Sequence, residues 1–209
     1  DGALASGVTA DQAVIGGDSA GGALAFGLLA NLLRDKARLP RAVFAFSPLL
    51  DLTFSGQSFQ ANIRADVLLP AHRAREMAEL YLNGLDPADP VGSPIHADFT
   101  GSCPAWLTVG DTEILADDSR RMADRLRAQG VPVAFQERAD LPHVWPIFHN
   151  YLPEANETLD TLAAWIRQQA PGSPGESCRL LPHVGGLPFH PPPSLQWYGP
   201  RGSHDDSRA

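Results

Sequence analysis

The chain has 209 residues, 44% of them hydrophobic, and a formal net charge of −8, which suits one α/β domain built around one sizeable core. An acidic balance with no cluster of Lys and Arg argues against a nucleic acid or an anionic membrane surface as partner, since both require concentrated positive charge. No run approaches the ~18 apolar residues of a membrane-spanning helix.

Asp1 to Ser6 has neither the basic stretch nor the apolar centre of a signal peptide, and a soluble, cytoplasmic protein is expected. The sequence starts without Met and enters a strand almost at once, so it reads as lacking the beginning of the natural protein. Ala13 to Gly16 is a short apolar run, expected as a buried strand. The next residues, Gly17-Asp18-Ser19-Ala20-Gly21, fit GxSxG and open a long apolar helical pattern, Ala20 to Arg34. In a strand-to-helix elbow the serine sits on a tight, strained turn, and small residues two before and two after it let the backbones approach. Ser19 is therefore a candidate nucleophile. Within the helix Leu24, Leu28 and Leu32 recur every four residues, while Phe26, Leu29 and Leu33 cover another side. A helix so apolar all round is expected to be largely buried.

Arg41 to Phe46 reads as a second strand, ended by Ser47-Pro48, and Pro70 suits the first turn of a helix to Leu82. Asn83 to Pro104, punctuated by Pro, Gly and Asp, is a long irregular connection into a third strand, Ala105 to Val109. Cys103 and Cys178 have no metal-ligand spacing and read as free thiols of a reducing compartment. Asp117 or Asp118 is placed to cap a helix to Gln129, with Met122 and Leu126 inward. Gly130 ends that helix before a fourth strand, Val131 to Gln136, and Thr158 to Gln168 is an amphipathic helix. Strands alternating with helices predict an α/β fold with a mostly parallel sheet. From Pro171 the chain is dense in Pro and Gly, so residues 171–209 are expected to be a disordered tail and residues 1–170 the folded domain. His183-Val184-Gly185-Gly186 lies in that tail, with no strand before it, and is set aside.

A serine hydroxyl is a poor nucleophile at neutral pH, so it needs a histidine to take its proton and a carboxylate to orient that histidine. Of seven histidines, His183, His190 and His204 fall in the tail, His72 in a helix and His96 in the irregular connection. His143 follows the fourth strand, where a base would reach back across a parallel sheet, whereas His149 is expected on the following helix. For the acid, groups that act in such sheets project just beyond the carboxyl ends of strands, which favours Asp111 or Glu113. Asp117 and Asp118 have a competing role as helix caps. Between Asp111 and Glu113 position alone does not decide.

Three blocks are more specific. Gly17-Asp18-Ser19-Ala20-Gly21-Gly22, then Gly110-Asp111-Thr112-Glu113-Ile114-Leu115-Ala116-Asp117-Asp118, then Pro142-His143-Val144-Trp145 resemble, in order and spacing, the catalytic blocks of the hormone-sensitive-lipase-like family of α/β-hydrolases. Ser47-Pro48 with Asp51-Leu52-Thr53, and Ser93-Pro94, add to the likeness, which runs from about Ala10 to Gln168. The resemblance implies the C-terminal part of an α/β-hydrolase fold, a carboxylesterase or acetylesterase activity on small acyl esters, and no cofactor or metal. It implies Ser19 as nucleophile, Glu113 as acid and His143 as base, with Asp117 as the alternative acid, and the backbone N–H of Ala20 as an oxyanion donor.

The chain departs from that family before the serine. An HGG or HGGG loop, whose amides stabilise the oxyanion, does not precede Ser19. Losing one oxyanion donor typically costs about 10²- to 10³-fold in rate, so impaired turnover is expected. The family's strand order would also leave the strand at Ala13 to Ile15 as an open edge, inviting self-association. Lactone or amide hydrolysis on the same residues, or a non-catalytic remnant, are the other readings.

Overall fold

The computed structural model describes residues 7–169. The tail, Cys178 and the His183 to Gly186 segment lie outside them. Four strands, β1 (Val14–Asp18), β2 (Ala42–Phe46), β3 (Ala105–Gly110) and β4 (Val133–Arg138), form one sheet in the order β1-β2-β3-β4, every pair parallel. The helices are α1 (Ala20–Arg34), α2 (Ser58–Ala61), α3 (Ala71–Leu82), α4 (Ala116–Ala128) and α5 (Pro153–Gln168). Parallel strands need crossover connections, and α1 and α4 supply two of the three in this sheet.

Side-chain alternation explains the packing. Val43 and Ala45 of β2, with Ala105 and Leu107 of β3, point to one face and meet Phe26 and Leu29 of α1 and Met122 and Leu126 of α4, all buried. Phe26 also packs edge-on against Phe99, ring centres 5.8 Å apart. Truncating either ring to Ala would cost about 3–5 kcal/mol. The opposite face carries Phe44, Phe46 and Trp106, with Phe46 and Trp106 at 5.9 Å and 81°. Every residue of β3 is buried, as expected for a central parallel strand covered on both sides. Cys103 is a free, buried thiol whose pKa is raised by that burial. Among the described residues no helix is long and apolar enough to cross a membrane.

Several expectations need correction. Helix α1 is not largely buried: it packs one face on β1 and β2, leaving Leu24 64% and Leu28 48% exposed beside a cavity. β4 starts two residues later than its apolar run, because Pro132 offers no N–H to the ladder and instead accepts one from Ala105 at 2.9 Å. α4 has Leu115 at its N-cap without a side-chain cap, so Asp117 and Asp118 lie inside the first turn and reach elsewhere. α5 begins at Pro153, five residues before the position its periodicity suggested.

Candidate active site

β1 ends at Asp18 and α1 starts at Ala20, so Ser19 alone makes the turn, at φ 52° and ψ −119°. A non-glycine residue there costs of order 1–3 kcal/mol, and such strain gathers at functional sites. The surrounding chain holds it. Ser19 N–H donates to Phe46 O at 2.9 Å, and Ser19 O accepts from Gly22 at 3.1 Å and Leu49 at 3.0 Å. At Gly17 a Cβ would overlap the Gly21 carbonyl group, which is why the elbow needs glycine there. The Ser19 hydroxyl makes no hydrogen bond to another described residue, and Ala20 N–H heads α1, where first-turn amides have no intrahelical acceptor.

The carboxylate and the imidazole come from the segments that follow β3 and β4. Past β3, Glu113 N–H donates to Gly110 O at 3.3 Å, and the side chain curls back so that Oε1 accepts Gly110 N–H. The extra methylene of Glu over Asp supplies this reach. Oε1 also accepts the Ser47 hydroxyl at 2.7 Å, and Oε2 lies 2.6 Å from His143 Nδ1. Glu113 is 1% exposed and His143 7%. A carboxylate only accepts, so Nδ1 carries the shared proton and Nε2 of the neutral ring keeps its lone pair for another.

The loop bearing His143 is pinned from several sides. Asp111 Oδ1 accepts the Asp140 N–H at 2.9 Å, and Trp145, fully buried, donates its Nε1–H to Thr158 of α5 at 3.3 Å. Val144 adopts φ 55° and ψ 39°, a left-handed conformation that is rare for a β-branched residue. Its N–H donates to Ser47 Oγ at 3.0 Å. Ser47 itself has φ 47°, so three strained residues, Ser19, Ser47 and Val144, mark this rim of the sheet.

Other residues singled out by sequence are occupied elsewhere. Asp117 accepts Ser58 N–H at 2.9 Å and pairs with Arg120 at 2.9 Å. Asp118 Oδ2 accepts the N–H groups of Leu50 at 2.8 Å and Asp51 at 3.0 Å. Burial pushes the Asp118 carboxyl up to about 7, and the neighbouring Asp51 charge adds to the rise. At Asp51 burial also works upward, but hydrogen bonds from Ser55, Thr53 and Arg121 outweigh it and hold the group at about 2. His149 follows a 3-10 turn, Trp145–Phe148, rather than sitting on a helix, and is exposed. Sequence reasoning missed Asn62, whose Nδ2 donates to the carbonyls of Asp111 and Glu113 at 2.8 Å each and so holds the acid-bearing turn. Nothing in its surroundings signals this. It also missed the contacts of Ser47, for which a serine before proline at a strand end was the available hint.

From Ser19 an apolar cavity of about 560 Å³ opens between α1 and α3, with Leu24, Leu28, Phe54 and Met77 on its walls. Among the described residues no three His, Cys, Asp or Glu side chains converge to hold a metal ion.

A serine on a strained elbow of a parallel sheet, with a carboxylate–imidazole pair beyond the following strands, is the layout of an α/β-hydrolase. The chain belongs to the alpha/beta hydrolase fold family, whose family model matches residues 2–147. It is 37% identical over 164 residues to an acetyl-hydrolase of Streptomyces hygroscopicus, covering 78% of this chain and 55% of that protein. An esterase of Acinetobacter venetianus is 32% identical over 161 residues, covering 77% and 53%. The fold is similar to a crystal structure of an esterase from the bacterial hormone-sensitive lipase family, with TM-score 0.77, 36% identity, and 80% of this chain and 56% of that one covered. A hormone-sensitive lipase from a metagenome library gives TM-score 0.76 at 32% identity, covering 80% and 57%. The chain thus spans about half the length of the relatives it matches.

Proposed function

We propose that this chain carries the reacting groups of a carboxylic-ester hydrolase acting on small acyl esters. The observation that carries the reading is the buried His143 Nδ1 to Glu113 Oε2 contact of 2.6 Å, on the same rim of the sheet as the strained Ser19 elbow. In this mechanism Ser19 Oγ attacks the ester carbonyl while His143 Nε2 takes its proton, and Glu113 holds the ring and balances the imidazolium. The imidazolium then protonates the departing alcohol. Water, deprotonated by the same nitrogen, releases the acid from the acyl-enzyme on Ser19. Ala20 N–H is the oxyanion donor assigned within this sequence. Residues 1–18 hold no HGG-type motif, so a polypeptide of these 209 residues is expected to turn over weakly. The apolar walls next to Ser19 suit the hydrocarbon part of an ester.

The test pairs a fluorophosphonate probe with p-nitrophenyl acetate, beside a Ser19→Ala control. Serine-dependent labelling supports the proposal, with slow release of nitrophenol. A folded chain that the probe leaves unmodified would overturn it.

A further inference from the structure

Ser47 lies outside the three blocks that suggested the chemistry, yet its hydroxyl touches two of them. It donates to Glu113 Oε1 at 2.7 Å and accepts the Val144 N–H at 3.0 Å, and the residue is fully buried. Both backbones are held in left-handed conformations, Ser47 at φ 47° and Val144 at φ 55°. Ser47 also precedes Pro48, a position that ordinarily favours extended backbone. Its own N–H donates to Thr108 O at 2.7 Å, so the turn is fixed to β3 at the edge from which Glu113 departs.

We propose that Ser47 is a positioning residue, its hydroxyl fixing the Glu113 carboxylate and the backbone beside His143 relative to one another. The inference rests on Glu113 and His143 being the acid and base of the proposed hydrolase. A serine hydroxyl has one proton to give and lone pairs to receive. Donation to the carboxylate therefore leaves the oxygen free for Val144. An alanine would leave the Val144 N–H without a partner in a buried site and would strip one donor from Glu113 Oε1, leaving that carboxylate held by Gly110 N–H and His143 alone.

The experiment compares the full chain with Ser47→Gly and Ser47→Ala. Glycine removes the hydroxyl while relieving the left-handed strain, so stability and positioning are driven in opposite directions. Three quantities are read: the melting temperature, the rate of fluorophosphonate labelling of Ser19 against pH, and the titration of His143 by NMR with ¹⁵N-labelled histidine. In the glycine variant the melting temperature holds while labelling slows about tenfold, a smaller loss than the ~10²-fold of a full ångström's displacement. Without the serine donor more charge resides on the oxygen facing His143. The imidazolium is then favoured, and both the titration and the acid limb of labelling move to higher pH.

Labelling and titration unchanged in a folded Ser47→Gly chain overturn the proposal, and so does a change confined to melting temperature. Ser47→Ala decides in the same way if the glycine variant does not fold. If the unsubstituted chain is never labelled, the hydrolase reading has failed, and the His143 titration alone then decides the role of Ser47.

Discussion

Gly110, the last residue of β3, lies so close to the Leu141 carbonyl that no Cβ fits between them. This contact sets the distance between the turn bearing Glu113 and the loop bearing His143. Gly110→Ala must push one of them away, at a cost of about 1–3 kcal/mol for overpacking. Displacement of a reactive group by an ångström costs about 10²-fold. We therefore expect labelling of Ser19 to fall about 100-fold in a chain that calorimetry still finds folded.

The two candidate acids separate cleanly by substitution. Glu113→Gln keeps the shape but removes the charge that balances the imidazolium, and a loss of about 10³- to 10⁴-fold in labelling rate is expected. Asp117→Asn weakens a partly exposed pair with Arg120, worth about 1 kcal/mol or less, and leaves the rate within about twofold of the unsubstituted chain. The reverse pattern would remove Glu113 from the proposed role.

Asp118 makes stability depend on pH in a direction opposite to that of most carboxylates. Its carboxyl titrates near 7 in the folded chain against about 4 unfolded, so across that window the folded state holds a proton the unfolded state has lost. Stability contributed by this group therefore falls as pH rises from about 4 to about 7. Asp51, held near 2, acts the other way and only below about pH 4. Asp118→Asn is expected to remove a drop on the order of 2–4 kcal/mol between pH 5 and 8, read as a smaller change in melting temperature across that range.

The cavity beside Ser19 has room for an alkyl chain, and Leu28 lines it. Leu28→Trp takes up part of it at a residue outside the proposed reacting groups. We expect labelling by a long-chain alkyl fluorophosphonate to fall about tenfold relative to a short-chain one, the scale on which hydrophobic pockets discriminate. Equal effects on both probes would show that the chain binds elsewhere.

β1 is an outer strand of the sheet in the described residues, with one side unpaired. Such an edge is a template for another strand, and a lysine on it blunts pairing. Sedimentation should show the chain associating with rising concentration, and Val14→Lys should shift it to monomer. An unsubstituted chain that remains monomeric at high concentration would leave the edge without this role.

Much of the architecture was legible because local signals agreed with tertiary ones. The helix from Ala20 to Arg34 and the stop at Gly130 describe elements whose ends are set by their own residues, whereas β1, expected as a buried strand over Ala13 to Gly16, runs on to Asp18 and is only partly buried as an outer strand. Leu24 and Leu28 were misread because periodicity reports which side chains are apolar and not what lies opposite them. β4 was displaced by Pro132, whose missing donor matters only once a partner strand is known. Of the candidate site, Ser19 and His143 could be picked out by the residues around them, whereas position past β3 left Asp111 and Glu113 open and only the family resemblance named Glu113. Ser47 and Asn62 could not, because their relevance lies wholly in contacts with segments remote in sequence.

The link between Val144 and Ser47 spans 97 residues. An emerging polypeptide cannot make it until nearly the whole domain has been synthesised. This rim of the sheet is therefore completed late in synthesis, once both segments are available to meet.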